Sequence, residues 1–161
     1  MQNSTRILAI DPGTREMGFA DLQGYALIDH GVKVIKRGRS PQETLDRGMA
    51  IVAGLIEDFR PEVLIIEQTF VGRNQNTAPL NVFADEIKAL AKRSRLEVMT
   101  FAAHAVKKAV CGYDWAGKAE VAKAVVNRYP ELKAYLFKDR KWKERLHANM
   151  YDAAALGMMV V

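Results

Sequence analysis

Apolar and polar positions along this chain follow two rhythms. Short continuous apolar runs occupy Arg6-Ile-Leu-Ala-Ile10 and Val63-Leu-Ile-Ile66; rich in β-branched residues, they suit strands buried on both faces of a sheet. Residues 17–22 and 25–35 predict two more strands joined by a tight turn at Gln23-Gly24. Ser40-Pro41-Gln42-Glu43 opens a helix, with Ser40 as N-cap, Pro41 first and Glu43 third. In that helix Leu45, Met49, Val52, Ile56 and Phe59 recur at intervals of three and four, marking a buried face, and Pro61 ends it. Beyond a polar loop over 71–77, the pattern predicts helices at about 79–93, 104–110 and 118–129 and a strand over 97–102. A charged segment at 138–145 and an Ala-rich helix reaching the C-terminus close the chain. Three leading strands followed by alternating helix and strand predict an α/β fold, a mixed sheet flanked by helices, in one domain over 1–161.

Composition narrows the class. The 161 residues are 49% apolar and 27% charged, as in an ordinary globular chain. A net charge of +5 favours an anionic partner such as nucleic acid. A single cysteine, Cys111, excludes an intramolecular disulfide and a thiolate-rich metal site, and suits a reducing, cytoplasmic compartment. Residues 2–6 are polar with no leader pattern after them, so no signal peptide is expected. The longest apolar stretch, Ala153 to Val161, is too short to span a membrane.

Acidic residues at the ends of the apolar strands change the picture. Asp11 follows the first run, in Ile10-Asp-Pro-Gly-Thr14, and Glu67 follows the other, in Ile66-Glu-Gln-Thr-Phe70. A carboxylate there loses hydration and is rarely left without a partner. Asp152 adds a third acid, set among small alanines in a helix that can pack closely on a sheet. Three such acids can enclose one or two hard cations of the Mg²⁺ kind. Metals roughly 3.5–4 Å apart support phosphodiester hydrolysis by activating water and stabilising the leaving oxygen.

These residues, in their order, resemble the RuvC family of Holliday-junction resolvases nearly end to end. The similarity includes Gly18, Arg73-Asn74, Phe101-Ala-Ala103, Val106-Lys107, Val110-Cys-Gly112, Ala116-Gly-Lys118 and Asp152-Ala-Ala-Ala. The resemblance implies an RNase H-like fold with a five-stranded sheet, a homodimer, and Mg²⁺-dependent paired cleavage of four-way DNA junctions, with Mn²⁺ as a substitute. Carried over by position, Asp11, Glu67 and Asp152 are expected metal ligands and Lys118 neutralises charge at the scissile phosphate. Lys107 and Lys108 are expected to contact DNA. Phe70 is expected to stack on a base at the junction centre, with Arg73, Asn74 and Gln75 on backbone phosphates. The helix over 79–93, with Leu80, Phe83, Ala84, Ile87, Leu90 and Ala91 on one stripe, is the expected dimer interface; packing on its own sheet would use the same residues.

Two departures from the family pattern stand out. Members usually carry a fourth acidic ligand three residues before the last aspartate, and here that position is Asn149. Asparagine keeps the shape without the charge. A natural Asn ligand, a register in which His147 contributes, and an inactivating Asp-to-Asn replacement are the open readings. His147 lies about 140° from Asp152 around a helix, which argues against the second. The basic 138–145 segment, with Trp142, is either a solvated loop or a grip on a junction arm. A RuvC-like nuclease of ribosomal RNA precursors and a non-catalytic junction-binding module are the competing functions. A branch-migration motor or a phage packaging pathway are both open as its setting.

Overall fold

Strand parity divides the side chains of this protein between two cores. The computed structural model describes residues 4–68, 78–136 and 141–161, the stretch 141–146 by its backbone alone. Five strands, β1 (Arg6–Asp11), β2 (Glu16–Gln23), β3 (Ala26–Val34), β4 (Val63–Glu67) and β5 (Glu97–Phe101), form one sheet in the order β3-β2-β1-β4-β5. β1, β4 and β5 run parallel, while β2 and β3 pair antiparallel. Successive side chains on a strand point to opposite faces. Leu8, Ile10, Leu64 and Ile66 therefore face α1 (Pro41–Phe59) and α2 (Ala78–Arg93), packing on Val52, Leu55, Phe83 and Ile87. Ile7, Ala9, Val63 and Ile65 face the other way. They meet α3 (Ala103–Cys111), α4 (Lys118–Arg128), a short 3-10 helix (Pro130–Tyr135) and α5 (Lys141–Gly157).

Local chemistry sets the helix ends. Ser40 Oγ accepts from the Glu43 N–H at 3.1 Å, satisfying one orphan donor of α1. Glu43 Oε2 accepts from the Arg39 N–H at 2.8 Å, one residue earlier than a regular capping box. Arg60 closes α1 in the left-handed region, and Pro61 follows. The face that α1 buries most deeply is Gly48, Val52 and Leu55, with Leu45, Met49, Ile56 and Phe59 along its margins.

Two open readings are narrowed here. On α2, Phe83, Ala84, Ile87 and Ala91 are buried in the protomer's own core, because that face lies on the sheet beside α1. The stripe is thus used within the chain, and Val82 is the large hydrophobic that α2 leaves exposed. The charged 138–145 segment is not a loop throughout: from Lys141 onward it is the first turns of α5, consistent with the good helix propensity of Lys, Glu and Arg. Among the described residues no helix is long and apolar enough to cross a membrane.

One close approach seats α5. A Cβ on Gly18 would overlap the Asn149 carbonyl, so only glycine in β2 lets the helix backbone lie directly on the strand.

Candidate active site

Register brings the first two acids together. Ile10 of β1 pairs with Ile66 of β4, so Asp11 and Glu67, one residue further, end neighbouring parallel strands at the same edge. Parity aims both to the face covered by α3, α4 and α5. Asp152 enters from above on α5, anchored by the buried run Ala153 to Leu156. Lys118, the first residue of α4, places Nζ 2.9 Å from Asp152 Oδ2. Glu67, Lys107, Lys118 and Asp152 are the charged lining of a cleft of about 170 Å³, with Val106, Val121 and Leu156 among its apolar walls.

The electrostatics are those of a site short of positive charge. Burial pushes the Asp11 carboxyl well above the usual carboxylate range, and the charges of Asp152 and Glu67 push it further, with Lys118 opposing. Glu67 is also raised, first by burial and then by Asp152, against the pull of Lys118 and Lys107. Burial lowers Lys118, but the combined effect of Asp152, Asp11 and Glu67 outweighs it and leaves the ammonium above its ordinary value. Three carboxylates thus face two lysines, of which Lys118 is the one ion-paired with them among the described residues. Hard oxygen donors with surplus negative charge fit a hard divalent ion. Among the described residues, no three acid, imidazole or thiol groups are yet drawn into a finished metal cage. The donor chemistry fits such an ion, while Asp152 is held on the lysine's side.

The remaining expected residues divide. Asn149 Nδ2 donates to the Glu16 carbonyl at 3.2 Å and lies beside Gly13. Its amide is therefore tied to the turn between β1 and β2, in a bond that a carboxylate could not donate. His147 packs its ring against Tyr135, 4.7 Å between centroids, and Tyr135 in turn meets His30 at 5.6 Å. That aromatic seam belongs to β3, the 3-10 helix and α5, so the register that would turn His147 toward the acids is not adopted. Lys107 lines the cleft, whereas Lys108 is exposed outside it. Phe70, Arg73, Asn74 and Gln75 lie outside the described residues.

Trp115 is a residue that the sequence pattern does not single out. It is 79% exposed in the connection between α3 and α4, with its ring 4.9 Å from that of Tyr113. The signal available in the sequence is a tryptophan in a glycine-bounded stretch, Gly112-Tyr-Asp-Trp-Ala-Gly117, leading straight into Lys118.

Comparison with known proteins agrees with this arrangement. The family model described as Crossover junction endodeoxyribonuclease RuvC matches residues 7–138. A protein of that name from Maricaulis maris is 36% identical over 83% of this chain and 84% of its own length. One from Rubrobacter xylanophilus is 33% identical over 77% of this chain and 72% of its own. Among solved structures, Thermus thermophilus RuvC in complex with Holliday junction substrate superposes with a TM-score of 0.71 at 22% identity, covering 94% of this chain and 89% of that one. The sheet and its flanking helices are accordingly the RNase H-like arrangement of these proteins. With a family match over residues 7–138, and relatives 33% and 36% identical over most of both chains, this chain belongs to the RuvC family of crossover junction endodeoxyribonucleases.

Proposed function

We propose that this chain resolves four-way DNA junctions by divalent-metal-dependent phosphodiester hydrolysis, making paired symmetric nicks as a homodimer. The observation that carries the reading is the gathering of Asp11, Glu67 and Asp152, from two strand ends and a helix, around Lys118. The junction DNA bound in the Thermus thermophilus RuvC structure supports the choice of substrate. Asp11, Glu67 and Asp152, with Asn149 through its amide oxygen, would hold Mg²⁺ or Mn²⁺, as one or two ions. When bound, such ions activate water and stabilise the leaving oxygen.

The chain's own groups supply the rest. Lys118 offers an ammonium to the charge that develops on the scissile phosphate. Lys107 and Lys108 contact the backbone beside it. Phe70 stacks at the branch point, and Arg73, Asn74 and Gln75 hold phosphates, which positions DNA without reading its sequence. Two-fold symmetry sets two such sites on opposite strands.

A nicking assay on a synthetic four-way junction, each strand labelled in turn, tests the reading. Symmetric nicks are expected with Mg²⁺ or Mn²⁺ and none in chelator. Tight, salt-sensitive binding without nicking in either metal would reduce the chain to a junction-binding module. Preferential cleavage of a structured RNA over the junction would sink the choice of substrate.

A further inference from the structure

We propose that Trp115 is a base-stacking platform beside the cleavage site, taking a nucleobase opened at the branch point of the strand being cut. The proposal rests on the junction-nuclease reading above and adds a substrate contact to it. Trp115 is the most exposed large hydrophobic among the described residues. An indole left in water forgoes the stabilisation that burying so large an apolar surface supplies. The backbone around it is held on both sides instead. Gly112 closes α3 at φ 90, Ala116 is buried in the core, and Gly117 caps the start of α4. Tyr113 supports the indole from one side, with rings 38° apart, and the high exposure leaves the rest of the indole open.

Position selects the occupant. Trp115 precedes Lys118 by three residues, within about 10 Å along the chain. Lys118 is the ammonium bound to Asp152 in the acid cleft. Trp115 does not line the cleft itself, but a strand that offers its phosphate to Lys118 runs within reach of this ring. An indole has no charge for a phosphate, but its π-face stacks on any base. In intact duplex the bases are already stacked on one another. A branch point is where a base can be opened at least cost.

The chain has two tryptophans, so a Trp142→Phe background isolates the emission of Trp115, and its own junction affinity serves as the reference. In chelator, to prevent cleavage, a labelled four-way junction is titrated while DNA anisotropy and indole emission are followed together. Emission is expected to be quenched at saturation by the junction and unchanged by linear duplex of the same sequence. Trp115→Ala is expected to weaken junction affinity about tenfold, and Trp115→Phe less than about threefold. Both variants should melt with the background protein, since the side chain is exposed. Junction binding without quenching, or Trp115→Ala binding within about twofold of the reference, would overturn the assignment. So would equal quenching by duplex, or an emission change that tracks protein concentration without DNA, which would mark a protein contact. Failure of the unsubstituted protein to bind the junction at all would remove the junction reading itself.

Discussion

The two ends of strand β1 treat desolvated carboxylates in opposite ways. At its start, Arg6 reaches Asp21 of β2 with two parallel hydrogen bonds, Nη2 to Oδ2 at 2.6 Å and Nε to Oδ1 at 3.1 Å. Asp21 has no exposed surface, yet its charge is met inside the protein by a fixed guanidinium fork. At the other end, Asp11 sits with Glu67 and Asp152 beside Lys118, and burial, reinforced by repulsion among the acids, drives Asp11 and Glu67 toward the protonated form. The first end is a closed structural pair; the second is an arrangement that folding alone does not satisfy. A carboxylate cluster left short of cations is what distinguishes a site built for an outside ligand from ordinary polar architecture.

The largest effect is expected at the unsatisfied end: Glu67→Gln should reduce single-turnover junction cleavage by about a thousandfold or more, about 4 kcal/mol of transition-state stabilisation. Junction affinity measured by anisotropy should change little. Retention of a tenth of the activity would show that Glu67 is an ordinary strand-end acid. At the paired end, Arg6→Ala strands a buried carboxylate and should cost about 3–5 kcal/mol in urea unfolding. A loss below about 1 kcal/mol would mean that water reaches Asp21 once the arginine is gone.

Asp11→Asn sharpens the contrast by reversing the usual sign. A carboxyl raised in the folded state contributes stability that is fully present below its unfolded value and is lost as pH rises through its folded value. As pH rises through that folded value the native protein takes on the cost of the buried, repelled charge, and the neutral amide should melt progressively higher, by about 2–4 °C for each kcal/mol relieved. The gain should shrink as pH falls toward the ordinary carboxylate range, and cleavage should be lost throughout. Mg²⁺ should raise the melting temperature of the parent more than that of Asp11→Asn. Equal shifts would remove Asp11 from the ion's partners. The same carboxyls imply that cleavage by the parent falls with acidification at pH values above the usual carboxylate range.

Asn149 gives the smallest expected change. Asn149→Asp replaces a donor to the Glu16 carbonyl with an acceptor facing it, and should lower stability by about 0.5–1.5 kcal/mol. An increase in stability would show that the amide contributes nothing to the seam between α5 and the β1–β2 turn.

Much of the sheet was readable from local pattern. Ile7 to Ile10 and Val63 to Ile66 are apolar without alternation, the mark of strands covered on both faces, and both are fully covered. The Ser40-Pro41-Gln42-Glu43 start of α1 was equally legible, because a cap is a contact between residues three apart. The α2 stripe was legible as a buried face but not as to what buries it, since an amphipathic helix looks the same against its own sheet or a partner's. Arg6–Asp21 carried no local signal. It depends on how β1 registers against β2, and the bond from Asn149 to Glu16 joins residues 133 apart.

The linear order of residues was enough to determine that acids end buried strands, that a lysine opens a helix, and that the whole follows a known family order. These are properties of short windows and of spacing. Which acid is neutralised inside the fold, which side of Asn149 is committed to the backbone, and that Trp115 is left in water beside Lys118 were decided by tertiary structure. The reason is that charge compensation and exposure depend on groups distant along the chain, and only folding determines which of them meet.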